Sequence, residues 1–400
     1  METDNKSVGF ISWVCILLLY FAASTPFNEE LNSISLYFAI PASFILSFYI
    51  KSKYNYKNIY VKWLIILYVW LGLTYFTAYD QLLAARELRR FLGCAILCVA
   101  IANLSDRSKN TLWLYGIYII IFMAAIKYAR DTFFVGTYNI SNSRVNDRNL
   151  NANTLAYYTF FMDCTIFILG DLVKEKMMRK AFRLLFFLSI AATFYVAIFT
   201  ASRQVLIINL PLFLFFIYLR YFRHAGAGRK FVAVMFLAIA LIGVGGYALT
   251  VYNSSYLKVR SETKIKDDAR TRLLKEAIAV GDEHPIIGVG PGNFVKFSST
   301  HHFSHCSYTE LYANEGVIGL SIYVYLMYLF ISRQYRYLKR TRDQKFLVFL
   351  VIAIIYAFYN IFYVFYVDLW LMGFFMLIAS HSLSIYRQYL DKQKLATQHV

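Results

Sequence analysis

The chain has 400 residues, of which 59% are hydrophobic and 16% charged, with a formal net charge of +18. Its mean hydropathy is +0.49, a balance that excludes a soluble globular domain. The positive charge would suit nucleic acid, but it falls in clusters between apolar runs, so it reads as a membrane topology signal and no nucleic-acid partner is expected.

Runs of roughly 20 apolar residues suffice to cross about 30 Å of hydrocarbon as helix. They predict spans near 8–24, 32–50, 59–77, 89–104, 111–129, 154–172, 184–200, 205–219, 231–250, 308–331, 346–365 and 367–386. The expected fold is all-α: a polytopic transmembrane helical bundle of about 12 spans forming one integral domain over 1–400. The first run lacks a small-residue cleavage site and is read as a retained helix rather than a removed signal peptide. With the N-terminus inside, 24 of the 41 basic residues fall on the cytoplasmic side and 15 outside, as the positive-inside rule requires. Both termini are then inside and the longest polar segment, 251–306, is an external loop, which a thiol probe at Ser298 would report. Cys15, Cys94, Cys98 and Cys164 fall inside spans and only Cys306 reaches the outer side, so no disulfide framework is expected.

The outer basic residues depart from the charge rule and suit an anionic ligand, because a guanidinium grips phosphate oxygens through a planar fork of donors. Arg89 precedes the fourth span, and Arg148 follows the fifth. Arg203 sits in a tight hairpin, Thr200 to Gln204, that holds it at the outer boundary. Arg270 lies in a short amphipathic helix within the external loop. There Ala269, Leu273, Leu274, Ala277 and Ile278 form an apolar stripe. Arg270 projects within about 15° of that stripe's mean direction and Arg272 about 200° from Arg270. A charge centred on a packing face needs a partner or a task. Interfacial anchoring is the bland alternative for each of these arginines.

Downstream, Gly288, Gly290, Pro291 and Gly292 form sharp turns, read as a scaffold that returns the loop to the membrane and not as a dinucleotide fingerprint. Ser307 and Glu310 fit a capping box ahead of an apolar run, Ser307 capping and Glu310 reaching back. His305 lies just before that cap, near the positive end of a helix, which favours the neutral imidazole that can act as a base. His301, His302 and His305 lack the further ligands of a tetrahedral set, so no metal and no cofactor are expected.

Several of these motifs together resemble one family. Thr200 to Gln204, the Arg270 helix leading to His284 and Pro285, the turn Gly288 to Phe294, and His305 followed by Gly316 are similar to the O-antigen ligase and O-antigen polymerase superfamily. The polar stretch 146–156 does so too, and the resemblance covers 140–330. Two positions depart from the family pattern: Cys306 stands where Asn usually follows the His, and Leu274 where an aromatic is usual.

The resemblance implies a metal-independent, inverting membrane glycosyltransferase of the GT-C type. It would move a glycan from an undecaprenyl-pyrophosphate carrier to an acceptor hydroxyl on the exported side of the bacterial cytoplasmic (inner) membrane. On the matching positions His305, Arg270 and Arg203 are the catalytic candidates, with Arg203, Arg270, Arg89 and Arg148 binding substrate. The implied partners are the lipid-linked glycan, membrane lipids, and polysaccharide-assembly or chain-length-regulator proteins. Polymerase is preferred to lipid A-core ligase because the external loop is compact for a bulky acceptor. A transporter or flippase is the rival class, and it would place ionisable groups at mid-membrane, where Asp163 alone stands.

Overall fold

Asn or Asp stands immediately before four of the apolar runs, and each caps the helix that follows. In the computed structural model Asn58 accepts from the Tyr60 N–H at 3.0 Å and Asp343 from Lys345 at 2.9 Å. Asp80 accepts from Leu82 and Leu83, and Asp368 from Trp370 and Leu371, each satisfying orphan donors of a first turn. The structure describes residues 2–50, 58–105, 108–131, 152–200, 203–223, 226, 228 and 269–398. The expected span 231–250, the loop up to residue 268 and Arg148 lie outside these.

Among the described residues there is no strand, and the elements are α1 (Glu2–Ser24), α2 (Glu29–Ile34), α3 (Ile40–Ser47), α4 (Ile59–Thr74), α5 (Gln81–Ser105), α6 (Ser108–Ala129), α7 (Ala152–Leu172), α8 (Lys176–Thr200), α9 (Arg203–Ile217), α10 (Ala269–Glu283), α11 (Phe294–Phe297), α12 (Ser307–Thr341), α13 (Gln344–Tyr359) and α14 (Leu369–Gln398). Six of the described helical stretches are long and apolar enough to cross a membrane: Ile59–Thr77, Gln81–Ser105, Asn110–Ala129, Lys176–Ala197, Ser307–Thr341 and Leu369–Thr397. Shorter apolar helices cover Gly9–Ser24, Ile208–Phe222 and Gln344–Tyr359. The chain is therefore an integral membrane protein whose described elements are all helical. The expected run 32–50 is interrupted by a π-helical turn, Ser35–Ala39, between α2 and α3. The run 154–172 is helical as α7, which carries Asp163 and Asp171.

Two compact units divide the chain, one made of Met1–Ala22, Ser33–Leu114 and Lys264–Val400, the other of Ala23–Asn32 and Tyr115–Thr263. In the first, α14 is the central helix, with every residue from Leu371 to Ala379 buried. Its Phe375 meets Phe330 of α12 at 4.9 Å edge-on, and Tyr60 of α4 and Tyr356 of α13 close the same aromatic knot. In the second unit, Phe167 of α7 stacks on Phe216 of α9 at 3.9 Å, with Phe186 of α8 against both. Asp163 of α7 is fully buried there and accepts from Thr193 at 2.8 Å and from Asn209 at 3.3 Å.

Candidate active site

The 35 residues of α12 are too many for one crossing, since helix of that length runs about 52 Å. The helix is broken at Gly316, whose φ of 63° and ψ of −168° are open to glycine and strained for other residues. A break frees backbone groups that must find partners. The glycine turn supplies them. The Val289 N–H donates to the Ala313 carbonyl at 3.0 Å, Gly290 to Asn314 at 2.8 Å, and the Val317 N–H donates to the Pro285 carbonyl at 2.8 Å. A Cβ on Gly288 would lie 2.3 Å from the Asn314 backbone, and one on Gly316 2.2 Å from the Ile286 carbonyl oxygen. The turn is thus more than a return path: it is threaded into the broken helix.

The α4–α5 connection is stitched to the same turn. Tyr79 N–H donates to Val289 O at 3.0 Å and Asp80 N–H to the Asn293 side chain at 2.7 Å. Lys296 pairs with Asp80 at 3.2 Å. The amide of Leu83 and then Lys296 hold the Asp80 carboxyl below its ordinary value. Arg89 is exposed on α5, its Nε 3.4 Å from the Ala85 carbonyl.

Helix α10 buries Leu273, Ala277 and Val280 against Val289, Phe294 and Ala313. The expected stripe is partly corrected: Ile278 is 44% exposed and Val280 takes its place. The reason is Gly281, where a Cβ would lie 2.3 Å from the Tyr312 ring, so α10 leans on α12 along the side of Ala277 and Gly281. Arg270 stands two turns before Ala277 and three before Gly281 on that side. It is half-buried, while Arg272 is exposed and lies 3.9 Å from Glu276. Glu276 also accepts from the Ser299 N–H at 3.0 Å, and Ser299 draws its carboxyl below the usual range.

The histidines separate sharply. His301 and His302 are exposed, and His301 Nδ1 lies 3.2 Å from the Val295 carbonyl. His305 is half-buried against Phe303, ring centroids 4.4 Å apart, with a left-handed φ of 61°. The capping box is corrected. Cys306 is the N-cap residue and makes no side-chain cap bond. Ser307 instead donates to the Tyr363 carbonyl at 3.0 Å and accepts from the Phe365 N–H at 2.9 Å, because the Asn360–Asp368 connection folds over this helix end. Glu310 does reach back, but to the Ser304 N–H at 2.6 Å. Cys306, expected at the outer side, is 4% exposed.

The structure therefore brings Arg270 and His305 into one unit with Arg89, on segments tied to the broken helix. Arg203 begins α9 in the other unit. Asn293, Ser304 and Asn314 were not singled out from the sequence, though Asn314 and Glu315 beside Gly316 form a polar interruption of an apolar run that could have marked the break. Among the described residues no group of three or more His, Cys, Asp or Glu is placed to hold a metal ion.

No curated protein is similar in sequence to this chain. Residues 186–324, from α8 to the middle of α12, match the model of the family described as O-Antigen ligase. That stretch contains Arg203, Arg270, the glycine turn, His305 and Gly316 and excludes Arg89 and Arg148. Over that stretch, 139 of the 400 residues, the match bears out the resemblance to the O-antigen ligase and polymerase superfamily.

Proposed function

We propose that the protein transfers a glycan, with inversion and without a metal, from an undecaprenyl-pyrophosphate donor to an acceptor hydroxyl on the exported face of the bacterial inner membrane. A lipid pyrophosphate is already a good leaving group, so the protein must supply cations for the departing charge and a base for one hydroxyl. Arg270, with Arg203 on the sequence argument, receives the pyrophosphate, Arg89 and Arg148 assist binding, and His305 takes the acceptor proton. The observation that carries this reading is that the turn following the Arg270 helix bonds to the break at Gly316, while Glu310 of the same broken helix, itself bonded to Asn314, bonds back to Ser304, beside His305. Polymerase is the preferred reaction, the acceptor being a second lipid-linked glycan, and the compact external segment supports it. Ligation to lipid A-core is the second reading, favoured by the description of the matching family.

The purified protein in liposomes, given the lipid-pyrophosphate glycan, should lengthen that glycan with no other acceptor present. Product only when lipid A-core is added would establish the ligase reading, and no product with either would overturn both. The topology within this proposal, about 12 spans with both termini inside and 251–306 outside, has its own test. Ser298 is 2% exposed and bonded to His302, so it is a poor probe position. The exposed His302 is a better one, and all five native cysteines are buried. A His302→Cys variant should react with a membrane-impermeant maleimide in intact spheroplasts. Reaction only after permeabilisation would place the loop inside.

A further inference from the structure

We infer that Glu310 is a positioning residue for His305, and that the position requires a carboxylate whose amide isostere fails for a specific reason. The inference rests on His305 being the base of the proposed transfer.

Glu310 is 3% exposed in the first turn of α12. One carboxylate oxygen accepts from the Ser304 N–H at 2.6 Å, the other from the Asn314 side-chain amide at 3.1 Å. Neither donor can reverse its role. Ser304 offers a backbone N–H, and the Asn314 side-chain oxygen is taken by the Phe294 N–H at 2.7 Å. Two opposed donors need a group with two acceptor atoms, which a glutamine does not have.

The target of Glu310 separates positioning from capping. A capping carboxylate grips the N–H of the cap residue, here Cys306. That N–H is bonded to the Ser304 hydroxyl at 3.3 Å, which in turn donates to the Cys306 carbonyl at 3.1 Å. Glu310 instead holds the residue just before His305. The backbone on both sides of the histidine is therefore fixed, one side by Glu310 and the other by Ser304. That fits the left-handed φ of His305, which a non-glycine residue keeps only where its surroundings over-determine it. Through Asn314, whose carbonyl accepts from Gly290, the same network reaches the glycine turn.

The test is Glu310→Gln, alone and with Asn314→Asp. In the single variant a glutamine amide must face the Asn314 amide. In the pair, the carboxylate introduced by Asn314→Asp has one oxygen for the Phe294 N–H and one for the glutamine amide, so every donor is matched again. Glu310→Gln should raise hydrogen exchange across 303–306 about tenfold or more, leave the segments holding Gly290 and Val317 protected, and bind donor normally. Its kcat for transfer should fall on the order of 10²-fold with donor KM unchanged, the scale of a misplaced reacting group. Asn314→Asp should restore most of both losses. In a His305→Ala background Glu310→Gln should cost nothing further.

Unchanged exchange at 303–306, no rescue by Asn314→Asp, or losses that multiply with His305→Ala would overturn the inference. If Glu310→Gln does not accumulate, the pair decides: recovery of folded protein supports the network and its failure overturns it. If the parent protein transfers no glycan, the reaction assigned to this site falls, while exchange and its rescue still decide whether Glu310 holds the loop.

Discussion

His305→Ala should reach the membrane at the parental level, bind the lipid-pyrophosphate donor, and transfer glycan about 10²–10⁴-fold more slowly, the usual cost of removing a positioned base. The imidazole is half-buried against one aromatic ring and lies outside the apolar cluster that seats α10, so its loss opens no cavity in that cluster. The backbone is the complication, since alanine at a φ of 61° is strained. His305→Asn answers it, because asparagine tolerates the left-handed region and cannot serve as a base near neutral pH. Both variants should be equally slow, with donor binding intact. The exposed His301 and His302 should tolerate alanine with much smaller losses, and chelator should leave the parent unaffected. Near-normal turnover by either His305 variant, or inhibition by chelator that zinc reverses, would move the chemistry elsewhere.

Most of the described helices are legible in the sequence because membrane spans announce themselves by length and apolarity. The sequence also isolated Arg270 and His305. What it could not show was how the segments join. Gly316 sits inside an apolar helical pattern, and a single glycine there is compatible with an unbroken helix. Its φ and the matching turn at Gly288 emerge only when the two segments meet across 28 residues of sequence. The capping box misled for a related reason. A local pattern offered Ser307 as the cap, but the distant Phe365 N–H and Tyr363 carbonyl claimed its hydroxyl. The stripe on α10 was displaced by one residue, Gly281, whose missing side chain admits the Tyr312 ring. Periodicity weighs apolar residues and gives an absent side chain no direction.

Arg270→Ala should abolish most transfer while Arg272→Ala keeps most of it, at equal amounts of folded protein. The two residues share charge and helix, so the contrast isolates direction. Arg270 lies on the side of Ala277 and Gly281 that leans on α12, and Arg272 is exposed near Glu276. A surface pair of the latter kind contributes about 0–1 kcal/mol at most, so its loss should not disturb folding. Loss of a charge-assisted contact to a pyrophosphate oxygen should cost on the order of 1.5–3 kcal/mol, roughly 10–150-fold. The cost rises further if the leaving charge develops away from water. Because a guanidinium offers a planar fork and an ammonium only a point charge, Arg270→Lys should recover part of the activity and not all of it. The measurement is initial rate against donor concentration for the three variants in liposomes. Equal losses at positions 270 and 272 would reject this orientation of α10, and full activity in Arg270→Ala would remove Arg270 from the site.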